Sequence, residues 1–241
     1  MDHHSLKMYM KKHILIIGGM GPQASIHAHK RLIETFQNKY PNSDNSDYPR
    51  ITHLSLNVED FISDETKKEE AKDYILECLE EIDMSSVNVG FIACNTAHIL
   101  FDDLQEATDD KLISLIELTK KHFNNKRIGI VASPTTIKQH LYGNDILAPD
   151  NNSIEIIEGI IRDTIAGVSS DKLAPTLENE IKKLRDRGAE IVILGCTELS
   201  VVGSHLDLDY TLDPIELVVN AIIDEEYQLD QPKEILFKFK I

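Results

Sequence analysis

Short, largely apolar runs recur along this chain, and each closes on glycine, cysteine or another small residue. The clearest runs are residues 14–17, 87–92, 128–131 and 191–194. A run that is apolar at nearly every position suits a strand covered on both faces, because a strand with one exposed face would alternate apolar and polar residues. Helical patterns, such as residues 23–38 and 171–187, lie between the runs. This alternation predicts an α/β fold with parallel sheets.

The apolar runs form two matching pairs. ILIIGG at residues 14–19 matches IGIVAS at residues 128–133, and GFIACNT at residues 90–96 matches VILGCTE at residues 192–198. Similar lengths of chain separate the members of each pair, which indicates a duplicated α/β unit. We therefore expect two similar Rossmann-like or flavodoxin-like parallel-sheet domains with pseudo-two-fold symmetry.

A cysteine closes the second run of each pair. Cys94 follows residues 87–92, and Cys196 follows residues 191–194. In parallel α/β folds, ligand chemistry gathers at the carboxyl ends of the strands. Two half-sites related by an approximate two-fold axis would place these thiols on opposite sides of one cleft. The alternative is that they are two ordinary buried cysteines, which are common and usually inert.

Two facing thiols suit proton transfer at a carbon atom. The residue after each cysteine can open a helix, and a helix N-terminus lowers the pKa of a thiol because the helix dipole stabilises the anion. We therefore expect lowered pKa values at Cys94 and Cys196, which would titrate as a coupled pair. A thiolate on one face of a carbon and a thiol on the other would invert that centre without a cofactor or a metal ion.

The composition limits the partners of such a site. The 241 residues, 41% hydrophobic and 27% charged, suffice for two compact halves. A net charge of −16 argues against nucleic acid and anionic membrane surfaces, and no run reaches the ~20 apolar residues of a membrane span. Residues 1–12 lack the apolar segment of a secretory signal, so we expect free thiols in the cytoplasm. The three cysteines show neither a CxxC nor a zinc-ligand spacing.

Three motifs stand in order at predicted strand ends: GGMGP at residues 18–22, CNTAH at residues 94–98 and GCTE at residues 195–198. Together they resemble the aspartate/glutamate racemase superfamily, the cofactor-independent amino-acid racemases, over residues 13–226. The resemblance implies an isomerase that needs no pyridoxal phosphate and interconverts L- and D-amino acids. It also implies that Cys94 and Cys196 are the two acid/base residues and that the assembly is a homodimer.

The resemblance also implies how the chain is divided. In that family the second domain is inserted into the first, so the last helix, about residues 214–227, would pack back on the first domain. The active site would lie in the cleft between the two domains. The expected division is a first α/β domain of residues 12–105 plus 208–228, a second of residues 106–207, an N-terminal extension of residues 1–11 and a C-terminal tail of residues 229–241.

Further residues near the cysteines, or at matching strand ends, are candidates for contact with the substrate. The backbone N–H groups after each cysteine could bind a carboxylate and take up developing charge. Glu198 could contact the substrate amino group, or it could simply cap its helix. His98 lies one turn after Cys94 with an unknown orientation. The candidate substrate-binding residues are Met20, Asn57, Asn95, Thr96, Ala97, Ser133, Thr136, Thr197 and Glu198.

The side chain of the substrate is the least constrained part of this prediction. Two positions where aspartate racemases carry a basic residue fall near Glu65 and Ile154, so the basic residues expected to bind a second carboxylate are replaced. Aspartate or glutamate is the default substrate, and a neutral or basic amino acid is the second choice. A related decarboxylase or cis–trans isomerase would use the same scaffold for a different reaction. An amino-acid-binding protein without catalytic activity would keep the site but not the chemistry.

Overall fold

The structure is a computed structural model that describes residues 12–58 and 67–224. Its first sheet has four parallel strands in the order β2-β1-β3-β4. In this sheet Ile14 of β1 pairs with Ile51 of β2 on one side and with Val89 of β3 on the other. The strand bounds are β1 His13–Gly18, β2 Arg50–Ser55, β3 Val89–Ile92 and β4 Leu112–Ile113.

The second sheet has three parallel strands in the order β5-β6-β7. Ile128 of β5 pairs with Ile191 of β6, and Val192 of β6 pairs with Thr211 of β7. The bounds are β5 Ile128–Ala132, β6 Ile191–Gly195 and β7 Thr211–Leu212. The prediction of an α/β protein with parallel sheets is therefore confirmed.

Helices connect the strands of both sheets. Gly167 and Gly188 follow the helical patterns of residues 154–166 and 171–187, which predicts a C-terminal cap at each, and their φ values of +84° and +95° are the left-handed conformation that such caps use. The helix bounds are α1 Pro22–Lys39, α2 Lys68–Glu80, α3 Phe101–Ala107, α4 Leu115–Lys120, α5 Pro134–Lys138, α6 Asn151–Ile165, α7 Ser170–Asp186, α8 Thr197–Gly203 and α9 Pro214–Ile223, with 3-10 helices at Met84–Ser86 and Thr96–Leu100. None of these described helices is both long and apolar enough to cross a membrane.

The first sheet is covered on both faces, which explains the continuous apolar run of β1. Ile14 and Ile16 pack in one core with α1, α4 and α9, whereas Leu15 and Ile17 pack in a second core with α2. The second sheet is covered in the same way, with Val192 facing α6 and α7 and Ile193 facing the opposite core. The last helix, α9, therefore packs against the first sheet. The domain boundaries themselves stay a prediction.

The short elements differ most from the sequence-based expectation. The largely apolar residues 112–116 predict a short strand, but the strand is only two residues long, because the Ser114 side chain accepts a hydrogen bond from Glu117 N and starts α4. Residues 145–148 predict another short strand, which is reduced to one bridge between Gly129 and Leu147. The extension of residues 1–11, the tail of residues 229–241 and the position near Glu65 lie outside the described residues.

Candidate active site

The first cysteine lies immediately beyond an internal strand of the first sheet. Cys94 is 4% exposed and packs in the same core as Met20 and Ala97. The chain after it opens as the 3-10 helix Thr96–Leu100 rather than as an α-helix. The burial follows from the position of β3, which pairs with β1 on one side and β4 on the other.

His98 holds the backbone of this cysteine. The Leu115 N–H donates to His98 Nε2 at 3.0 Å, so Nε2 carries no proton and Nδ1–H donates to the Cys94 carbonyl oxygen at 2.9 Å. The imidazole also stacks on Phe101, with 5.4 Å between ring centroids. Burial lowers the pKa of His98 to about 4, because a charged imidazole would be desolvated there. His98 is therefore a neutral clamp on Cys94 at neutral pH.

The second cysteine follows β6 and occupies the N-cap position of α8. The Cys196 thiol is 4% exposed and donates to Glu198 Oε2 at 2.9 Å. The other carboxylate oxygen, Oε1, accepts the Gly21 N–H at 2.8 Å. A Cβ atom at Gly21 would lie 3.0 Å from the same oxygen. The glycine-rich turn after β1 therefore touches the site of the second sheet, a contact that the sequence analysis missed.

The electrostatics of Cys196 differ from the expectation of a lowered pKa. Burial raises its pKa well above the ordinary value, and the charge of Glu198, the hydrogen bond to that carboxylate and the neighbouring Cys94 raise it further. Burial also raises the pKa of Glu198, partly offset by hydrogen bonds from Cys196, Gly21 and Thr197. Desolvation and a nearby negative charge outweigh the effect of the helix N-terminus.

Three hydroxyl groups link residues of the two halves. Thr96 Oγ1 lies 2.9 Å from Ser133 Oγ and 3.1 Å from Thr136 Oγ1. The Ser133 hydroxyl donates to Thr136 Oγ1 at 3.0 Å and accepts the Thr136 N–H at 3.2 Å, which caps α5. All three residues are at most 1% exposed. This hydroxyl cluster offers neutral donors and acceptors beside Cys94.

Asn95 has a partner that the sequence analysis did not identify. Its Oδ1 accepts the hydroxyl hydrogen of Tyr142, from beyond α5. Its Nδ2 is buried without a hydrogen-bond partner in the described part of the chain. Leaving a buried donor unpaired costs about 1–3 kcal/mol, so such groups in native proteins call for an explanation. No local pattern around Tyr142 signalled this contact, because the two residues are far apart along the chain.

The remaining candidates vary in their distance from the cysteine pair. Thr197 Oγ1 lies 3.3 Å from the Ala93 carbonyl oxygen, so it bridges the two halves next to Cys94. Ala97 is fully buried in the core. Met20 is buried in that core with Cys94. Asn57 is exposed beyond β2, and its Oδ1 accepts the Tyr74 hydroxyl at 2.6 Å.

A second cluster of titratable side chains lies at the start of α9. Ligand atoms of His27, Asp213 and Glu216 come within 4.8 Å of one another, close enough to be candidate metal ligands. They line a cavity of about 730 Å³ between α1 and α9. Arg31 already binds both carboxylate oxygens of Glu216. Because Arg31 already binds the carboxylate, we interpret the cluster as an Arg31–Glu216 ion pair beside the N-terminus of α9.

Two parallel sheets, each with a buried cysteine beyond an internal strand, define an α/β protein with a candidate site at these strand ends. The sequence profile of the Asp/Glu/Hydantoin racemase family matches residues 17–222, and the chain belongs to this family. The family resemblance noted in the sequence is thus confirmed, and the protein is an isomerase of the racemase class.

Two relatives show the range of the family. The broad specificity amino-acid racemase RacX of Bacillus subtilis is 23% identical over 202 residues, which cover 79% of this chain and 87% of that protein. Glutamate racemase 3 of Caldanaerobacter subterraneus is 24% identical over 182 residues, which cover 69% of this chain and 59% of that protein.

Solved structures share the fold. The aspartate racemase of Picrophilus torridus aligns with a TM-score of 0.68 and 21% identity, over 88% of this chain and 93% of that one. An aspartate racemase homologue from Pyrococcus horikoshii OT3 aligns with a TM-score of 0.69 and 23% identity, over 89% and 98% of the two chains. Both alignments extend across the two parallel sheets.

Proposed function

We propose that this protein is a cofactor-independent amino-acid racemase in which Cys94 and Cys196 are the two acid/base groups. The observation that carries the proposal is the pair of buried thiols at equivalent strand ends of the two sheets. They are close enough for Cys94 to contribute to the raised pKa of Cys196. Membership in a racemase family supports a reaction in which a proton leaves and returns at one carbon.

The proton balance requires one thiolate and one thiol. The thiolate removes the Cα proton, which forms an S–H bond and leaves the electron pair on Cα, delocalised into the substrate carboxylate. The opposite thiol then gives its proton to the other face of Cα and becomes a thiolate. The product is the other enantiomer, and the two cysteines have exchanged protonation states. The reverse reaction uses the same groups in the opposite roles.

Glu198 supplies a route to the Cys196 thiolate. Transfer of the thiol proton across the 2.9 Å contact to Glu198 Oε2 leaves the total charge of the buried pair unchanged. A base therefore forms without adding a second negative charge to a desolvated site. The raised pKa of Glu198, caused by its burial, favours the carboxyl as the temporary holder of that proton. A contact between Glu198 and the substrate amino group, expected from the sequence, is compatible with this route, since a carboxylate oxygen has more than one lone pair.

Neutral donors suit the substrate carboxylate. We propose that Asn95, Thr96 and Thr197 hydrogen-bond its oxygens, with Ser133 and Thr136 holding the Thr96 hydroxyl in place. Donors that are held in place fix the carboxylate, and with it the position of Cα between the two thiols, both before and during removal of the proton. Met20 would border the substrate from the glycine-rich turn, and Asn57 stays a candidate for the rim of the site.

Aspartate and glutamate are the first substrates to test, because they head the family name. A second class has its own support. Ile154, at the position expected for a basic residue, is an apolar residue of α6, and the relative RacX is a broad specificity amino-acid racemase. Neutral and basic amino acids therefore form the second group of candidate substrates. We also propose a homodimer and a cytoplasmic location.

The decisive experiment is a screen of all common amino acids, as L- and D-enantiomers, for deuterium exchange at Cα in deuterated water. We expect exchange together with inversion for one or more of them, measured by NMR and chiral chromatography. Cys78→Ser should retain this activity, because Cys78 is a half-buried residue of α2 outside the site. Exchange with no amino acid would overturn the proposed function, and a covalent adduct without inversion would favour a related decarboxylase or isomerase.

A further inference from the structure

One amide in the site has its orientation set from the other half of the molecule. Asn95 is 1% exposed and lies between Cys94 and Thr96. Its carbonyl oxygen, Oδ1, accepts the hydroxyl hydrogen of Tyr142. Its amino group, Nδ2, has no hydrogen-bond partner among residues 12–58 and 67–224. The amide thus has one end satisfied by the protein and one end with hydrogen atoms to donate.

Tyr142 is held so that it acts as a donor. The side chain is 3% exposed and packs with Ile128, Ile130 and Ile193 on one face of the second sheet. Burial raises the pKa of Tyr142 well above its ordinary value, so the phenol keeps its proton. A phenol carries a single hydrogen atom, and here that atom is directed at Asn95 Oδ1, while the Thr119 side chain also hydrogen-bonds the phenol. Rotation of the amide by half a turn would exchange its donor and acceptor ends and break the hydrogen bond from the phenol to Oδ1.

We propose that Tyr142 is a positioning residue that orients the Asn95 amide so that Nδ2 donates to an oxygen of the substrate carboxylate. This inference rests on the proposed function, and it adds a residue that acts through Asn95. An amide turned the other way would present its oxygen to the carboxylate and repel it. The Tyr142–Asn95 contact also joins a residue of the second half to the loop that carries Cys94. The phenol therefore influences substrate binding without touching the substrate.

Removal of the phenol oxygen alone tests the inference. In Tyr142→Phe the ring still fills its place in the core, but the amide is free to turn. A carboxylate contact holds the substrate both before and during proton transfer, so its weakening raises KM and leaves kcat nearly unchanged. We expect KM of the best substrate to rise about fivefold to tenfold and kcat to stay within about twofold. Tyr48→Phe is the matched control, because Tyr48 packs against Phe36 in the core of the first sheet.

A double-mutant cycle separates positioning from packing. If Tyr142 acts through Asn95, then Tyr142→Phe should cause no further rise in KM when it is added to Asn95→Ala. Asn95→Asp gives an independent reading of the orientation, because it keeps an acceptor for the phenol but replaces the donor with a negative oxygen. We expect Asn95→Asp to raise KM more than Asn95→Ala does. Thermal unfolding of each variant checks that it is folded. If Tyr142→Phe does not fold, the Asn95→Asp variant still tests the orientation of the amide.

The outcomes are distinct. An unchanged KM in Tyr142→Phe, additive losses in the double variant, or an Asn95→Asp variant that binds substrate as well as Asn95→Ala would each overturn the inference while the wild-type protein remains an active racemase. Absence of Cα exchange in the wild-type protein would overturn the proposed function and this inference with it. A rise in KM that Tyr142→Phe causes in the wild-type background, but not in the Asn95→Ala background, and that Tyr48→Phe does not cause would support it.

Discussion

The ends of β3 and β6 are similar in sequence but differ in what surrounds their cysteines. Beyond β3, the Cys94 carbonyl is held by the neutral imidazole of His98. Beyond β6, the Cys196 thiol itself faces the carboxylate of Glu198. The duplicated fold places the two thiols at equivalent positions, whereas the neighbouring side chains give them different environments. The two thiols therefore have different neighbouring side chains although they lie at equivalent strand ends.

This difference shows what a duplicated fold can and cannot impose. The strand ends and the burial of the thiols recur, because they follow from the same backbone arrangement, whereas the chain continues as a 3-10 helix after Cys94 and as an α-helix after Cys196. The residue two positions after Cys196 is an acid, and the one four positions after Cys94 is a histidine. Each is buried, but only Glu198 can take up the proton of the adjacent thiol. The His98 clamp instead controls where the Cys94 backbone lies.

Loss of either thiol should have the largest effect. We expect Cys94→Ser and Cys196→Ser each to lose racemisation by about 10³-fold, because a serine hydroxyl is a far weaker acid than a thiol. Each variant should still exchange the Cα proton of one enantiomer without inverting it, and the favoured enantiomer should differ between the two. Deuterium content and chirality of the recovered substrate give both quantities. Full racemisation by either serine variant would end the two-thiol mechanism.

Loss of the Glu198 carboxylate should have the next largest effect and should act on one thiol only. We expect Glu198→Gln to lower kcat about 10²-fold, since the amide cannot take the Cys196 proton. The overall equilibrium constant between enantiomers is unity, so kcat/KM falls equally in both directions. The selective effect of Glu198 on Cys196 can therefore be seen only in the exchange reactions of the serine variants.

Those exchange reactions supply the matched control. In the Cys94→Ser background, where Cys196 is the remaining thiol, Glu198→Gln should slow exchange about 10²-fold. In the Cys196→Ser background the same change should have little effect. Equal slowing in both backgrounds would mean that Glu198 serves the whole site rather than Cys196.

The His98 clamp predicts a pH dependence of stability. Its pKa is lowered to about 4 in the folded protein by burial, so the unfolded chain binds the extra proton at higher pH than the folded chain. The stabilisation is present above pH ~6.5 and is lost as the pH falls towards 4, by about 3 kcal/mol for this one residue. His98→Asn keeps a donor near the Nδ1 position and removes the titrating group, so its free energy of unfolding should fall less over this range.

Urea unfolding at several pH values between about 7 and 4 measures this effect. His140→Asn is the control, because His140 is exposed and has a φ of +49°, a backbone conformation that asparagine tolerates. If His98→Asn and the wild-type protein lose stability in parallel, the titration of His98 is not the cause.

The strands that carry the site could be predicted because burial on both faces leaves a clear mark in the sequence. The apolar run of residues 14–17 lies in β1, and that of residues 128–131 lies in β5. Weaker elements could not be predicted well. The strand at residues 112–116 ends after two residues because Ser114 caps the next helix. A run of apolar residues does not show whether the chain continues as a strand or begins a helix.

The sequence alone was enough to predict the family, the parallel sheets and a cysteine at a strand end in each half. These depend on local periodicity and on motifs that are contiguous in the chain. The folded structure was needed to identify the contacts of Gly21 with Glu198, of Tyr142 with Asn95, and of Thr96 with Ser133 and Thr136. These contacts join segments that are distant in sequence, and the raised pKa of Cys196 depends on the burial and the carboxylate that folding brings to it.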